Sequence, residues 1–345
     1  MTYIKGFDTL RAYSIILVMS SHLGLKALLP QGDFVQDRFW GLISGGTGVN
    51  IFFTLSGFLI TSILLAELAK NSRISIKNFY VRRFLRLLPP LVIFYVATAI
   101  FMQQGVISSS GVGLAYSMFY VYNFVPNPYY TAELGHTWSL AIEEQFYIVW
   151  PFAILIFRSK RLLMLLTSIV ILICVIVVWI IPELTILKNY NVGRWFIPAV
   201  GPILVGSLFA LLNTYLRDKW KLLFQGNRKF ILLIAILLTY PLYAPIFLFP
   251  AGIVINAIGV GLLLVWISHN QSSRIVSILE FKPLMYIGKI SYGLYVYQGL
   301  FLRTGPGSDF WIQQFPINIL FTFVTALISY HFLEKPILKL KSRFR

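Results

Sequence analysis

The sequence predicts an all-α, polytopic membrane protein with about ten transmembrane helices. This prediction rests on an apolar composition, on the length of the apolar segments and on the placement of the basic residues. Of the 345 residues, 58% are hydrophobic and only 12% are charged, with a mean hydropathy of +0.77. Soluble domains carry about 25% charged residues, so a soluble fold of this composition would expose too much apolar surface. A disordered or collagen-like chain is excluded by the same numbers.

Apolar segments long enough to cross a bilayer recur along the whole chain. A transmembrane helix needs roughly 20 mostly apolar residues. The stretch 112–124 is shorter and precedes the turn-forming sequence PNPYY, so we expect a short re-entrant or surface helix there, on the external face. Pro198 and Pro202 are candidates to break the sixth span. The predicted spans are 9–29, 45–69, 88–105, 137–157, 161–182, 194–216, 230–248, 251–268, 284–303 and 314–334.

Basic residues set the orientation of these spans. Lys and Arg concentrate in the segments 70–86, 158–161 and 217–229 and in the two chain ends. Because such residues favour the cytoplasmic side, both termini are predicted to be cytoplasmic. The net charge of +17 then reflects this bias and attraction to anionic membrane lipid. No basic and aromatic module accompanies it, so nucleic acid is not an expected partner.

Domain organisation and cysteine content narrow the class further. No stretch between the spans is long enough for a second domain, so residues 1–345 are expected to form a single transmembrane domain. The N-terminal segment lacks a small-residue cleavage site and is interpreted as a retained first span. The lone Cys174 lies in an apolar run, which excludes an intramolecular disulfide and a cysteine-based metal site.

Ionisable side chains inside a membrane are costly and often mark function. Arg11 and His22 lie eleven positions apart in the first span, close to three helical turns, so they share one face about 16 Å apart along the axis. His22 is expected about 9 Å below the external end of that helix. The structural alternative is that His22 hydrogen-bonds a neighbouring helix while Arg11 reaches the headgroups.

The fourth span begins with a polar stripe. In the sequence HTWSLAIEEQFY, residues 136–147, the side chains of His136, Ser139, Glu143 and Tyr147 recur at helical spacing. The span runs inwards from the external face, which places Glu143 roughly six residues below that face.

That depth is the one expected for His22, so the two side chains are predicted to lie at the same level. A carboxylate beside an imidazole is the usual arrangement for a general base or a nucleophile. The adjacent Glu144 adds a second buried carboxylate. A structural polar network between helices is the alternative. No metal is expected, because His22, His136 and Glu143 lack the local spacing of known metal motifs.

A third signal is the arginine cluster at the start of the third span. Arg82, Arg83 and Arg86 precede the sequence LLPP, and arginine side chains match phosphate oxygens well. Ordinary juxtamembrane charge is the alternative. Together the cluster, Arg11 and the His22 level suit a long ligand with a phosphorylated head at the cytoplasmic face. Acyl-coenzyme A, with its nucleotide head, slender arm and terminal thioester, has this shape.

The same residues resemble the landmarks of the bacterial membrane acyltransferase family 3. Arg11 to His22 resembles the family's R-x10-H signature, and further segments match in order over nearly the whole chain. These segments are FFTLSGFLI at 52–60, RRFLRLLPP at 82–90, HTWSLAIEEQFYIVWP at 136–151, IGKISYGLYVYQ at 287–298 and SYHFLEKPI at 329–337.

The resemblance implies a ten-helix enzyme of the bacterial cytoplasmic (inner) membrane. It would transfer an acyl group, usually acetyl, from cytoplasmic acetyl-CoA or another acyl-CoA to a hydroxyl of an extracytoplasmic glycan, such as lipopolysaccharide O-antigen or another polysaccharide of the cell envelope. It implies that His22 is essential, that Arg11, Arg83 and Arg86 handle the donor, and that Glu143 is the family-typical carboxylate.

Many relatives carry an appended SGNH esterase-like domain, and this chain is expected to lack one. Transfer would then be direct or completed by a separate extracytoplasmic transferase. His22 would act as a general base or as an acyl carrier, and the sequence leaves both routes open.

A second class of function remains open from the sequence. A proton-coupled transporter or flippase of a lipid-linked sugar or small anion would use His22 and Glu143 as a proton relay. Transporters often show repeated halves, and no repeat is evident here. An inert scaffold leaves the buried charges unexplained.

Overall fold

The structure is a computed structural model that describes residues 3–24, 44–107, 110–180, 189–224, 232–233, 249–305 and 308–344. The predicted seventh span, 230–248, therefore lies almost wholly outside the described residues, and residues 25–43 lie wholly outside them.

The described part of the chain is mainly helical. It contains no β-strand, only an isolated antiparallel bridge between Pro126 and Tyr190, which confirms the predicted all-α class. The helices are α1 (Phe7–His22), α2 (Gly45–Asn71), α3 (Ile76–Gln103), α4 (Gly111–Met118), α5 (Thr137–Ile156), α6 (Lys160–Ile180), α7 (Phe196–Ala199), α8 (Gly201–Tyr215), α9 (Arg217–Leu223), α10 (Phe249–His269), α11 (Arg274–Ile278), α12 (Lys282–Phe301), α13 (Ile317–Ile328) and α14 (Lys335–Leu340), with a π-helical segment at Ser329–Glu334 joining the last two.

Six helices within the described ranges are long and apolar enough to cross a membrane, which makes this a multi-pass membrane protein. In three of them only 22–28% of the residues in the most apolar stretch are buried inside the protein. The remaining apolar surface of these helices suits contact with lipid. The six are Gly45–Asn71, Ile76–Gln103, Thr137–Ile156, Lys160–Ile180, Gly252–His269 and Ile317–Leu340. The count of about ten spans stays a prediction.

Several helix ends differ from those predicted from hydropathy. The first span is a 16-residue helix that ends at His22. The third begins at Ile76, where Ser75 caps it, so the arginine cluster lies inside the helix and not before it. The charged residues lower the mean hydropathy of the first turns of this helix. Hydropathy alone therefore places the start of the span too late.

Two irregular segments take the expected secondary structure. The stretch 112–124 contains most of the short helix α4 and a single helical turn at Tyr122–Phe124, and its placement at the external face stays a prediction. The sixth span is broken, because Ile197 has non-helical angles (φ −102°, ψ 115°) and a new helix begins at Gly201.

Neighbouring helices alternate in direction. Ser14 and Ser21 of α1 face Gly48 and Gly45 of α2, respectively, so these helices are antiparallel. The hydroxyl of Tyr147 contacts Ser56, and the indole of Trp150 bonds Thr61, so α5 runs parallel to α2. Contacts of Tyr80 with Ile148 and of Phe94 with His136 make α3 antiparallel to α5. The first four predicted spans therefore alternate as expected.

Glycines allow the closest approach of two helices in the core. On α2, a Cβ added at Gly57 would overlap the carbonyl oxygen of Ile203 on α8, and one added at Gly206 would overlap that of Thr54. Ser207 reinforces this crossing by donating a hydrogen bond to the Gly57 carbonyl at 3.3 Å. Small residues at such crossings are typical of membrane helices.

We expect Gly57→Ala to lower the free energy of unfolding by about 1–3 kcal/mol, because the added methyl group must push two backbones apart. Gly46→Ala on the same helix is the matched control, since its Cβ would meet only Ser44 Oγ, at 3.7 Å. Thermal unfolding in detergent micelles measures both variants. Equal unfolding midpoints for the two would contradict the close crossing.

Candidate active site

A cavity with about 750 Å³ of empty space, its open mouth included, lies between α1, α2, α3, α5 and α12. Polar residues line it from one end to the other. They are Arg11, Ser56, Arg83, Arg86, Ser139, Glu143, Tyr147, Ser291, Tyr292 and Tyr295, and the apolar lining includes Phe52, Phe53 and Leu140.

One end of the cavity is strongly basic. Arg86 lies close enough to Arg11 and Arg83 for their charges to interact. Arg83 stacks over the ring of Tyr147, 4.1 Å from its centroid, and Arg11 pairs with Asp8. Three arginines against the single lining carboxylate make this end suitable for an anionic ligand, since guanidinium groups pair well with phosphate oxygens.

Arg82, predicted to act with Arg83 and Arg86, does not belong to the basic end of the cavity. Its guanidinium bonds Glu67 at 3.2 Å and the carbonyl oxygen of Phe344 at 2.7 Å, and it is absent from the cavity lining. Adjacent residues on a helix point about 100° apart. The turn of α3 that aims Arg83 and Arg86 inwards therefore aims Arg82 towards α2 and the C-terminal segment.

Glu143 belongs to the basic end. Its carboxylate lies near Ser56 and near the charges of Arg11, Arg83 and Arg86. The Ser56 hydroxyl also contacts that of Tyr147. The stripe predicted on the fourth span is thus largely confirmed, because its last three members line one cavity. Glu144 faces Arg83 from outside that lining.

The predicted shared level of His22 and Glu143 is wrong. His22 faces Gln298 and lies near His136, whereas Glu143 contacts the arginines. Glu143 is seven residues after His136, about 10 Å farther along α5. The expectation failed because α1 ends at His22 itself, and not six residues later.

His22 therefore occupies a separate layer at the end of α1. Its Nδ1 atom and both amide atoms of Gln298 are buried and lack a hydrogen bond of good geometry among the described residues. Gln298 is fully buried. Unpaired buried polar atoms are costly and deserve an explanation, and a reacting ligand is one.

The wall between this layer and the cavity is built from Tyr295, Ser139 and His136. Tyr295 lines the cavity, donates a hydrogen bond to the His136 carbonyl at 3.0 Å and contacts the Ser139 hydroxyl. The His136 ring packs against Tyr295 and Phe94. His136 is buried and lies near His22.

Sequence reasoning missed Gln298, Tyr295 and Ser56. Ser291, Tyr295 and Gln298 recur at helical spacing on α12, a polar stripe that the method applied to the fourth span would have found. Ser56 sits in an apolar helix with no polar periodicity and gave no such signal. Within the described ranges, no group of three or more His, Cys, Asp or Glu residues is placed to hold a metal ion.

Comparison with known proteins gives a consistent result. The model of the acyltransferase domain of family 3 matches residues 4–333. The chain is 30% identical to a peptidoglycan O-acetyltransferase of Listeria monocytogenes over 98% of its own length and 56% of the relative's. It is 29% identical to a putative peptidoglycan O-acetyltransferase of Bacillus subtilis (97% and 55%) and to an O-acetyltransferase of Staphylococcus aureus (98% and 57%). The chain thus spans just over half the length of these relatives. No solved structure matches.

Proposed function

The chain belongs to acyltransferase family 3 and is a membrane acyltransferase, and from that premise we propose that it transfers an acetyl group from cytoplasmic acetyl-CoA to a hydroxyl of an extracytoplasmic glycan. The observation that carries the proposal is the cavity itself, which joins a cluster of three arginines to the wall of the His22 layer. We place the protein in the bacterial cytoplasmic membrane, with both termini in the cytoplasm.

The donor fits the basic end. Phosphate groups of a coenzyme A head would pair with Arg83 and Arg86, and Arg11 would hold the pyrophosphate or upper arm. Glu143 and Asp8 keep these arginines in place, through the contacts described above. Glu143 is accordingly a positioning residue of the donor site in this proposal, and does not orient the imidazole.

The acyl group would react at the His22 layer. Gln298 lies beside the His22 ring and would fix it by a hydrogen bond to one ring nitrogen, which leaves the other nitrogen to work as general base or as acyl carrier. In the first route, that other nitrogen takes the proton of the acceptor hydroxyl, the new C–O bond forms and the C–S bond of the thioester breaks. The proton then passes to the departing thiolate, which leaves as free coenzyme A.

The acceptor is proposed to be a sugar of the cell envelope. The relatives from Listeria and Bacillus are named for peptidoglycan, which makes peptidoglycan sugars the first acceptors to test. O-antigen and other surface polysaccharides are the next. Whether transfer is direct or uses a separate extracytoplasmic transferase is decided by the same experiment.

The experiment uses purified protein in lipid nanodiscs with isotopically labelled acetyl-CoA and soluble peptidoglycan fragments. We expect label to enter base-labile esters of the glycan with stoichiometric release of coenzyme A. Label that remains on the protein would show that a second transferase completes the reaction. Folded protein that neither binds nor consumes acetyl-CoA would contradict the proposal and favour a transporter.

A further inference from the structure

At the end of the cavity away from the arginine cluster, two segments pack together. Residues 189–196 dock on residues 122–130 through a hydrogen bond from Asn127 N to Asn189 O at 2.7 Å and through the bridge between Pro126 and Tyr190. Arg194 ends a helical turn in the first of these segments. Its position is therefore fixed by contacts between backbones.

The guanidinium of Arg194 lies between two aromatic rings. Its central carbon is 4.9 Å from the ring centroid of Tyr130 and 5.9 Å from that of Trp138. Trp138 packs edge-on against Phe53, which lines the cavity, and the charge of Arg194 also acts on Tyr295, another lining residue. Arg194 thus adjoins the end of the cavity that faces the His22 layer.

The charge of Arg194 has no acidic partner within the described ranges. In the part of the chain that the structure describes, no acidic side chain forms an ion pair with it, and no hydrogen-bond acceptor is found for its N–H groups. Arg303, the other arginine near this end, pairs with Glu133 at 2.7 Å. Its recorded contacts among the described residues are the two aromatic rings, so its N–H groups could donate hydrogen bonds to a ligand.

We propose that Arg194, Tyr130 and Trp138 form a subsite for a carboxylate carried by the acceptor sugar. A guanidinium edge matches a carboxylate with two parallel hydrogen bonds, and aromatic rings suit the apolar faces of sugars. One cation without an acidic partner among the described residues matches one negative charge better than the two of a phosphate monoester. This inference deepens the proposed function and rests on it, since it assigns the chemistry of the acceptor.

The arrangement separates the two substrates by charge. Phosphates of the donor meet the arginine cluster, while the anionic acceptor meets Arg194 at the opposite end. The Tyr295 ring packs against that of His136, which neighbours His22, and Tyr295 also lies within reach of the Arg194 charge. A sugar held by Arg194 would therefore lie near the wall of the His22 layer.

The test measures binding in nanodiscs without acetyl-CoA, by calorimetry. The probes are a disaccharide that contains N-acetylmuramic acid, its carboxamide, and N-acetylglucosamine 1-phosphate. We expect wild type to bind the free acid at least about tenfold tighter than the amide. Arg194→Gln should abolish that preference and Arg194→Lys should keep part of it. Tyr129→Leu is the matched control, because Tyr129 is a half-exposed neighbour in the same loop without a described contact to Arg194.

Equal affinity for acid and amide in wild type, a preference unchanged in Arg194→Gln, or tightest binding of the sugar phosphate would each overturn the carboxylate subsite. Acetyl transfer to the neutral amide is measured separately. Transfer without discrimination would end this inference and leave the proposed function intact. If wild type prefers the acid in binding but transfers acetyl to neither glycan, the carboxylate subsite stands and the proposed acetyl transfer is contradicted.

Discussion

His22→Gln is expected to lower acetyl transfer to glycan by about a thousandfold, while the dissociation constant for acetyl-CoA stays within about twofold of wild type. A general base or nucleophile contributes on that scale, and glutamine fills a similar volume without a basic nitrogen. The donor constant should hold because His22 does not line the cavity whose basic end would bind the phosphates. Single-turnover transfer and equilibrium binding of labelled acetyl-CoA measure the two quantities.

The matched control for this variant is His269→Gln. His269 ends α10 and its Nε2 atom shares a 2.8 Å hydrogen bond with Asn213 of α8, remote from the cavity lining. Its replacement should leave both transfer and donor binding near wild type. A His22→Gln protein that retains transfer, or one that loses donor affinity and transfer together, would assign His22 to a different role.

Features carried by one helix were predictable from the sequence. Arg11 and His22 lie on one continuous helix, as their spacing required, and Ser139, Glu143 and Tyr147 line one cavity, as helical periodicity predicted. The helical class and the alternating directions followed from segment length and charge. These inferences need only the geometry of a single helix and the cost of burying charge in lipid.

Features that depend on how helices are aligned were not predictable in the same way. The relative depth of His22 and Glu143 required the end of α1, and a hydropathy window cannot locate a helix end to within a turn. The separation of Arg82 from Arg86 depended on Glu67, which belongs to a different helix. Arg194 and Tyr130 lie in loops far apart in the chain, and no local sequence pattern predicts their contact.

Because the basic end of the cavity and the His22 layer are separate, Glu143 has a different role from the one predicted. With Glu143 among the arginines, the charge that would have activated the imidazole instead offsets repulsion between Arg11, Arg83 and Arg86. His22 is left with an amide and a second imidazole as neighbours, Gln298 and His136, and with no carboxylate beside it among the described residues. In the proposed mechanism, the donor's phosphates and the reacting imidazole are thus served by different side chains, and variants should separate them.

Arg86→Gln tests whether the arginines at the basic end of the cavity bind the phosphates of the donor. We expect it to weaken acetyl-CoA binding by about 10- to 100-fold, because a charge-assisted hydrogen bond to a phosphate contributes about 1.5–3 kcal/mol. At saturating donor, the rate of transfer should recover to within a few fold of wild type, since the reacting atoms lie at the His22 layer. Titration with labelled acetyl-CoA and initial rates over the same range give both numbers.

Arg82→Gln is the control, since it removes the same charge from the same turn of α3. Arg82 is held by Glu67 and Phe344 and does not line the cavity, so acetyl-CoA affinity should stay within about twofold of wild type. If both variants weakened binding equally, the effect would come from the general positive potential of the cytoplasmic face. Loss confined to Arg86→Gln would instead require direct contact at the basic end, because long-range potential does not distinguish neighbouring arginines.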